Sequence, residues 1–237
     1  MNMKKIYLLF YLVMICFAGY CQSADDYYNI GNEKLENKSY LEAIIMFTKA
    51  IDINPSYYLA YNSRAYTKYC MKNYLGAISD YSKAIELNSN YSEFYAGRGM
   101  AKDEFGDLSG AMSDFTKAIK INPKNYLAYY CRGIIKNQIE NYTGSIDDFN
   151  NVIDIKPDFT EAYYNRGCAK SKLKDDNGAI IDFTIAIKLN PNFAAAYLNR
   201  GLSKLNLGQK ESGCMDFYKA DKLGNSKAKK ALFDLCK

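Results

Sequence analysis

The chain of 237 residues contains no histidine, which removes the side chain most used as metal ligand, general base and triad member. It has no tryptophan and only 4 prolines, while tyrosine reaches 23. So few prolines leave long stretches free to be helical, and tyrosine must carry much of the aromatic packing. Charge of one sign is scarce too: 31 Lys and Arg against 26 Asp and Glu leave a net +5, dispersed along the chain. That excludes the concentrated basic stripe of a nucleic-acid binder. There is no Cys-x-x-Cys pair for metal or redox work. Asp175-Asp176-Asn177-Gly178 lacks the spacing of a calcium loop. Gly97-Arg98-Gly99 starts like a dinucleotide loop, but Lys102 stands at the third glycine place. The reading is non-enzymatic, with no catalytic residue, metal ligand or cofactor site. At 49% hydrophobic residues, the chain is nonetheless composed like a folded protein.

One long apolar run is present. Lys4 and Lys5 precede an unbroken stretch from Ile6 to Ala18, after which the chain turns polar at Gln22. The run is shorter than the roughly 20 residues of a membrane-spanning helix and reads as a signal peptide over residues 1–21, with an uncleaved anchor as the alternative. Tyr20 disfavours a lipid on Cys21, because such sites want a small residue there. The expectation is an exported protein, periplasmic or extracellular, with no membrane span after cleavage.

From Ala24 onward the chain repeats every 34 residues without a gap. Gly31, Ala65, Gly99, Gly133, Gly167 and Gly201 keep this step. So do Ala43, Ala77, Ala111, Ser145, Ala179 and Gly213, and the aromatics Phe47, Tyr81, Phe115, Phe149, Phe183 and Phe217. Pro55, Pro123, Pro157 and Pro191 close four of the units. Numbering a frame of 34 slots from Ala24 gives units 24–57, 58–91, 92–125, 126–159, 160–193 and 194–224, followed by a cap over 225–237. Within each unit, slots 4, 7, 8 and 11 recur with the spacing of one helix face, and slots 20, 24 and 27 mark a second helix. Small residues at slots 8 and 20 let the two helices approach, and aromatics at slots 4 and 24 fill the space around them.

These small, aromatic, small and proline slots resemble the tetratricopeptide repeat family. The resemblance implies an all-α, right-handed superhelical solenoid of antiparallel helix pairs with a concave groove. One departure is systematic. Where the family often has large apolar residues, slot 7 is Arg64, Arg98, Arg132, Arg166 and Arg200, with Ile30 in the first unit, and slot 11 is lysine in all six. Slot 23 supplies Asp80, Asp114, Asp148, Asp182 and Asp216, with Met46 in the first unit. Arginine and aspartate are thus present together and absent together. The pattern predicts a structural Arg–Asp pair within each repeat, the lysine stem lying alongside, because an unpaired buried charge is costly. Pairing between neighbouring repeats is the alternative.

Ser226 to Cys236 reads as one more amphipathic helix that caps the last apolar face, its lysines forming a solvated outer side. Cys214 precedes the Gly224 turn by 10 residues and Cys236 follows it by 12, so an antiparallel hairpin puts them at similar height. The prediction is a Cys214–Cys236 disulfide contributing roughly 3 kcal/mol, with two buried thiols as the alternative. Cys131 and Cys168, on neighbouring first helices, are a weaker candidate pair.

If slots 4, 7, 8 and 11 pack, slots 2, 5, 9, 12 and 13 of each first helix are open, and the resemblance also implies that they line the groove. The candidate peptide-binding residues are Tyr28, Asn32, Asn62, Tyr66, Tyr69, Glu93, Met100, Asp103, Glu104, Tyr130, Ile134, Asn137 and Tyr164. Acidic residues dominate these slots, so the expected partner is a protein or peptide of basic and apolar character, with Asn62 and Asn137 placed to hold its main chain. The plainer alternative is that the acids only keep the surface soluble. The carboxylate-clamp subclass is a poor match, since Tyr28, Ser63, Glu93 and Gly97 occupy its places and only Asn32 fits. A different class is an assembly subunit of an envelope or secretion complex that engages through its convex side. Asn37, Asn90 and Asn141 begin glycosylation sequons in turns, relevant only in a eukaryotic secretory pathway.

Overall fold

The structure is a computed structural model that describes residues 22–236. The expected leader, including Cys21, lies outside them. Thirteen helices and no strands make up the described residues. They are α1 (Ala24–Glu36), α2 (Tyr40–Ile53), α3 (Tyr58–Cys70), α4 (Tyr74–Leu87), α5 (Ser92–Phe105), α6 (Leu108–Ile121), α7 (Tyr126–Gln138), α8 (Tyr142–Ile155), α9 (Thr160–Lys172), α10 (Asp176–Leu189), α11 (Ala194–Asn206), α12 (Lys210–Lys222) and α13 (Ser226–Leu235).

The chain forms two compact units, the first ending at Gly106 and the second beginning at Asp107. The first holds α1 to α5 and the second α6 to α13. Within each unit every helix packs on the next in sequence. First helices of successive pairs also touch: α1 with α3 and α3 with α5 in the first unit, α7 with α9 and α9 with α11 in the second. The fold class is therefore an all-α solenoid of helix pairs, and each unit presents a continuous face made by its first helices.

The repeated slots explain this packing. Ala43, Ala77, Ala111 and Ala179 are fully buried where the second helix meets the first. Phe47, Phe149, Phe183 and Phe217 are fully buried as well, each ring lying over the slot 8 glycine of its own pair. Burying such a ring is worth roughly 2–3 kcal/mol, and no single pair encloses enough of them to stand alone. Asn73, Asp107, Asn141 and Asp175 start second helices by accepting from the backbone N–H of Gly76, Gly110, Gly144 and Gly178 at 2.9 to 3.1 Å. Each such cap contributes about 1 kcal/mol.

The turn inside each pair requires one left-handed residue. Gly106 and Gly208 supply it in two repeats, but Lys38, Lys72, Glu140 and Lys174 adopt φ of 59 to 66° there. A side chain in this region costs about 1–2 kcal/mol. Replacing Lys72, Glu140 or Lys174 by glycine is expected to stabilise the protein by about 1 kcal/mol each, after the unfolded-chain entropy of glycine is subtracted. A higher urea midpoint would register it.

Candidate functional site

The cations on the packing face are held by a repeated lattice. Asp182 accepts from Arg166 Nη2 at Oδ1 (2.6 Å) and from Arg166 Nε at Oδ2 (2.9 Å), and Lys170 Nζ reaches the same Oδ2 at 2.8 Å. Asp80 is bound in the same way by Arg64 and Lys68, Asp148 by Arg132 and Lys136, and Asp216 by Arg200 and Lys204. Arg98 and Asp114 belong to different units. The lysine head group thus joins the carboxylate, where the sequence suggested only a stem packed alongside.

Each arginine has a further partner in the preceding repeat. Nη1 of Arg64, Arg98, Arg132, Arg166 and Arg200 donates to Thr48, Ser82, Thr116, Asn150 and Thr184 at 2.7 to 3.1 Å. The Arg–Asp pairs lie within a repeat, not between neighbours, and the link to the preceding repeat runs through Thr, Ser or Asn instead. In the first repeat, which lacks the arginine and aspartate, Lys34 pairs with Glu42 at 2.8 Å. The lattice ties helices together, and the opposite side of the first helices lies outside it.

On that side of the first unit, Tyr66 is the most open aromatic, 45% exposed. Its hydrogen bond to Cys70 holds the phenol above its ordinary pKa. Tyr69 packs against Tyr74, whose hydroxyl donates to Glu104 at 3.3 Å. Asn32, Asn62 and Met100 are half-buried, while Glu93 and Glu104 are exposed. Asp103 is half-buried, and burial, aided by the neighbouring Glu104 charge, raises its carboxyl pKa. Tyr28 packs on Phe47 and Tyr57, and Tyr57 in turn donates to Asp25 at 2.6 Å. At slots 2, 5, 9, 12 and 13 this unit carries Asp25, Glu36, Glu93, Asp103 and Glu104 and no lysine or arginine.

The second unit is different. At the same slots it has one acid, Glu161, and one base, Lys172. Tyr130 packs on Phe149 and meets Phe159 edge-on at 5.0 Å, and Tyr164 packs on Phe183 and on Phe193 at 4.7 Å. Both contacts lie within the tyrosine's own repeat and cover part of each ring. Burial raises both phenol pKa values. Their hydroxyls accept from asparagines that the sequence reading passed over: Asn165 Nδ2 donates to Tyr130 at 3.2 Å and Asn199 Nδ2 to Tyr164 at 3.1 Å. The remaining amide hydrogens go to the Glu161 carbonyl at 2.8 Å and the Cys168 sulfur at 3.4 Å. Both hydrogens of each amide are thereby used. The clue was available, since both stand at slot 6 of consecutive repeats.

Ile134 is half-buried beside Tyr130, and the buried Oδ1 of Asn137 makes no hydrogen bond. Cys168, Ser171, Lys172, Lys174, Phe183, Asn199, Leu202 and Asn206 line a hollow of about 450 Å³. Leu198 and Leu205, at open slots by the frame, instead join the core cluster that α13 completes. Cys214 and Cys236 form a disulfide with Cα atoms 5.8 Å apart. Cys131 and Cys168 are not joined to each other, and burial raises the Cys168 thiol pKa.

Stacked pairs with an open first-helix face define a class of helical-repeat protein. The tetratricopeptide repeat model matches residues 27–57, 92–125 and 160–193. These three segments are tetratricopeptide repeats. Among solved structures it is similar to YrrB, described as a TPR protein with an unusual peptide-binding site, at 22% identity over 78% of this chain and 96% of that one, with a TM-score of 0.69. MamA from Desulfovibrio magneticus RS-1 is 20% identical over 71% of this chain and 96% of that one, with a TM-score of 0.67. A chain of the APC/C hetero-tetramer Cut9–Hcn1 is 19% identical over 98% of this chain and 46% of its own length, with a TM-score of 0.73. Identities this low speak for the fold alone. Among curated proteins, no sequence matches the chain.

Proposed function

We propose that the protein is a non-enzymatic, exported scaffold that binds a polypeptide along its first-helix faces. The observation that carries this reading is the continuous first-helix face of each unit, with Tyr66, Glu93, Met100, Asp103 and Glu104 on the first unit's face outside the buried core. There the partner is a segment with apolar side chains for the tyrosines and basic ones for the carboxylates. A peptide-binding member of the same fold, YrrB, supports the mode. The leader-like residues 1–21 and the Cys214–Cys236 disulfide support export, since structural disulfides persist in oxidising compartments.

The test uses a fluorescein-labelled peptide of alternating lysine and leucine. Changing Glu93, Asp103 and Glu104 together to lysine should weaken its binding at least tenfold and remove most of the salt dependence. Undiminished affinity would overturn the charge preference. A second reading rests on Leu41, Ile45 and Leu75, which are exposed along the second helices α2 and α4. Such positions suit a subunit that assembles through its convex side. Polar substitutions there that block partner capture, while the lysine triple variant retains it, would favour that reading.

A further inference from the structure

The helix that closes the described residues, α13, buries little of its own surface. α13 has ten residues, a length that does not sustain a helix in water by itself. It buries one residue fully, Ala228, with Ala231, Leu232 and Cys236 partly covered. Phe233 remains 66% exposed, and Lys227, Lys229 and Lys230 crowd like charges onto its outer surface.

What it covers is strongly apolar. Leu198, Phe217 and Ala220 lie in one cluster with Ala228, and Tyr197 and Leu205 pack against that cluster. Leu198 and Leu205 belong to α11, the helix whose Leu202 and Asn206 line the hollow. α13 is fastened at its start by the Asn225 cap, which accepts from the backbone N–H of Lys227 and Ala228, and at its end by the Cys214–Cys236 bond.

We propose that α13 is a redox-released lid, held closed over the apolar end of α11 and α12 by this disulfide. A dithiol reductant opens it. One thiolate attacks a sulfur of the bond, forming a mixed disulfide and expelling the other cysteine as a thiolate. The reductant's second thiolate then closes its own disulfide and expels the remaining cysteine. Two electrons pass to the protein, and the two protons of the reductant's thiols end on Cys214 and Cys236. Without the bond, the small contact under Ala228 and Leu232 no longer holds the helix, and Leu198 and Leu205 extend the first-helix face beyond the hollow. The inference stands on the cap's packing and does not depend on the proposed binding function.

The experiment compares amide hydrogen exchange of the full oxidised chain before and after dithiothreitol, with alkylation and mass spectrometry verifying that both cysteines are reduced. Residues 226–236 should lose protection at least a hundredfold, while α9 to α12 keep theirs and an apolar dye such as ANS brightens. Cys236→Ser should show the same open lid without reductant. Protection of residues 226–236 that survives verified reduction overturns the proposal. Loss of protection throughout α9 to α12 overturns it as well, because the bond would then be a staple for the whole unit rather than the catch of a lid.

Discussion

Asp182→Leu is expected to destabilise the second unit by about 3–5 kcal/mol, the cost of removing one partner from a buried ion pair. Asp182 is 0% exposed and is the common acceptor for Arg166 and Lys170, whose side chains are themselves only 16% and 22% exposed. Leucine would leave two cations facing each other against an apolar wall. Removing them too, by Arg166→Leu and Lys170→Met, should recover most of the loss, because no desolvated charge remains. Recovery stays incomplete because Arg166 also donates to Asn150 of the preceding repeat. In the next lattice upstream, Arg132→Leu with Asp148 kept should be worse than the double apolar change. There Lys136 keeps a second acceptor, the Gly144 carbonyl at 3.1 Å. Urea unfolding of the single and double variants gives the coupling energy directly. If the single changes simply add, the lattice is not a coupled unit.

The second large effect is steric. Gly201→Ala should cost about 1–3 kcal/mol, the range for overpacking a core. A Cβ at Gly201 would come within 2.6 Å of the Phe217 ring and 2.9 Å of the Gly213 carbonyl oxygen. The ring is fully buried and the carbonyl is backbone, so neither yields without moving α11 from α12. At Gly133 the nearest atom to an added Cβ is 3.0 Å away and lies on the Phe149 ring, with no backbone atom in the way. Gly133→Ala should therefore be milder, and equal thermal shifts for the two variants would contradict the close-approach argument.

Much of this architecture is readable along the chain. The pairing of Arg132 with Asp148 is visible as covariation between repeats, because the one unit with Ile30 at slot 7 also has Met46 at slot 23. The Cys214–Cys236 pairing follows from counting residues about a single turn. The binding face was harder to read. Tyr130 and Tyr164 look like open groove residues on a helical wheel, yet each ring is partly covered by Phe159 or Phe193 arriving from the end of its own repeat. Asn165 and Asn199 drew no notice, because their role depends on a tyrosine hydroxyl 35 residues earlier. The acidic character expected of the whole groove belongs chiefly to the first unit.

By itself, the sequence determined the helix pairs, their number and their inward faces, because these depend on spacings of three, four and thirty-four residues that any copy of the repeat reveals. The tertiary structure alone decided how far Phe159 and Phe193 cover Tyr130 and Tyr164, and that α13 closes over Leu198 and Leu205. The physical reason is range: helix formation and amphipathic patterning are local, whereas the availability of a side chain is set by neighbours a full repeat away.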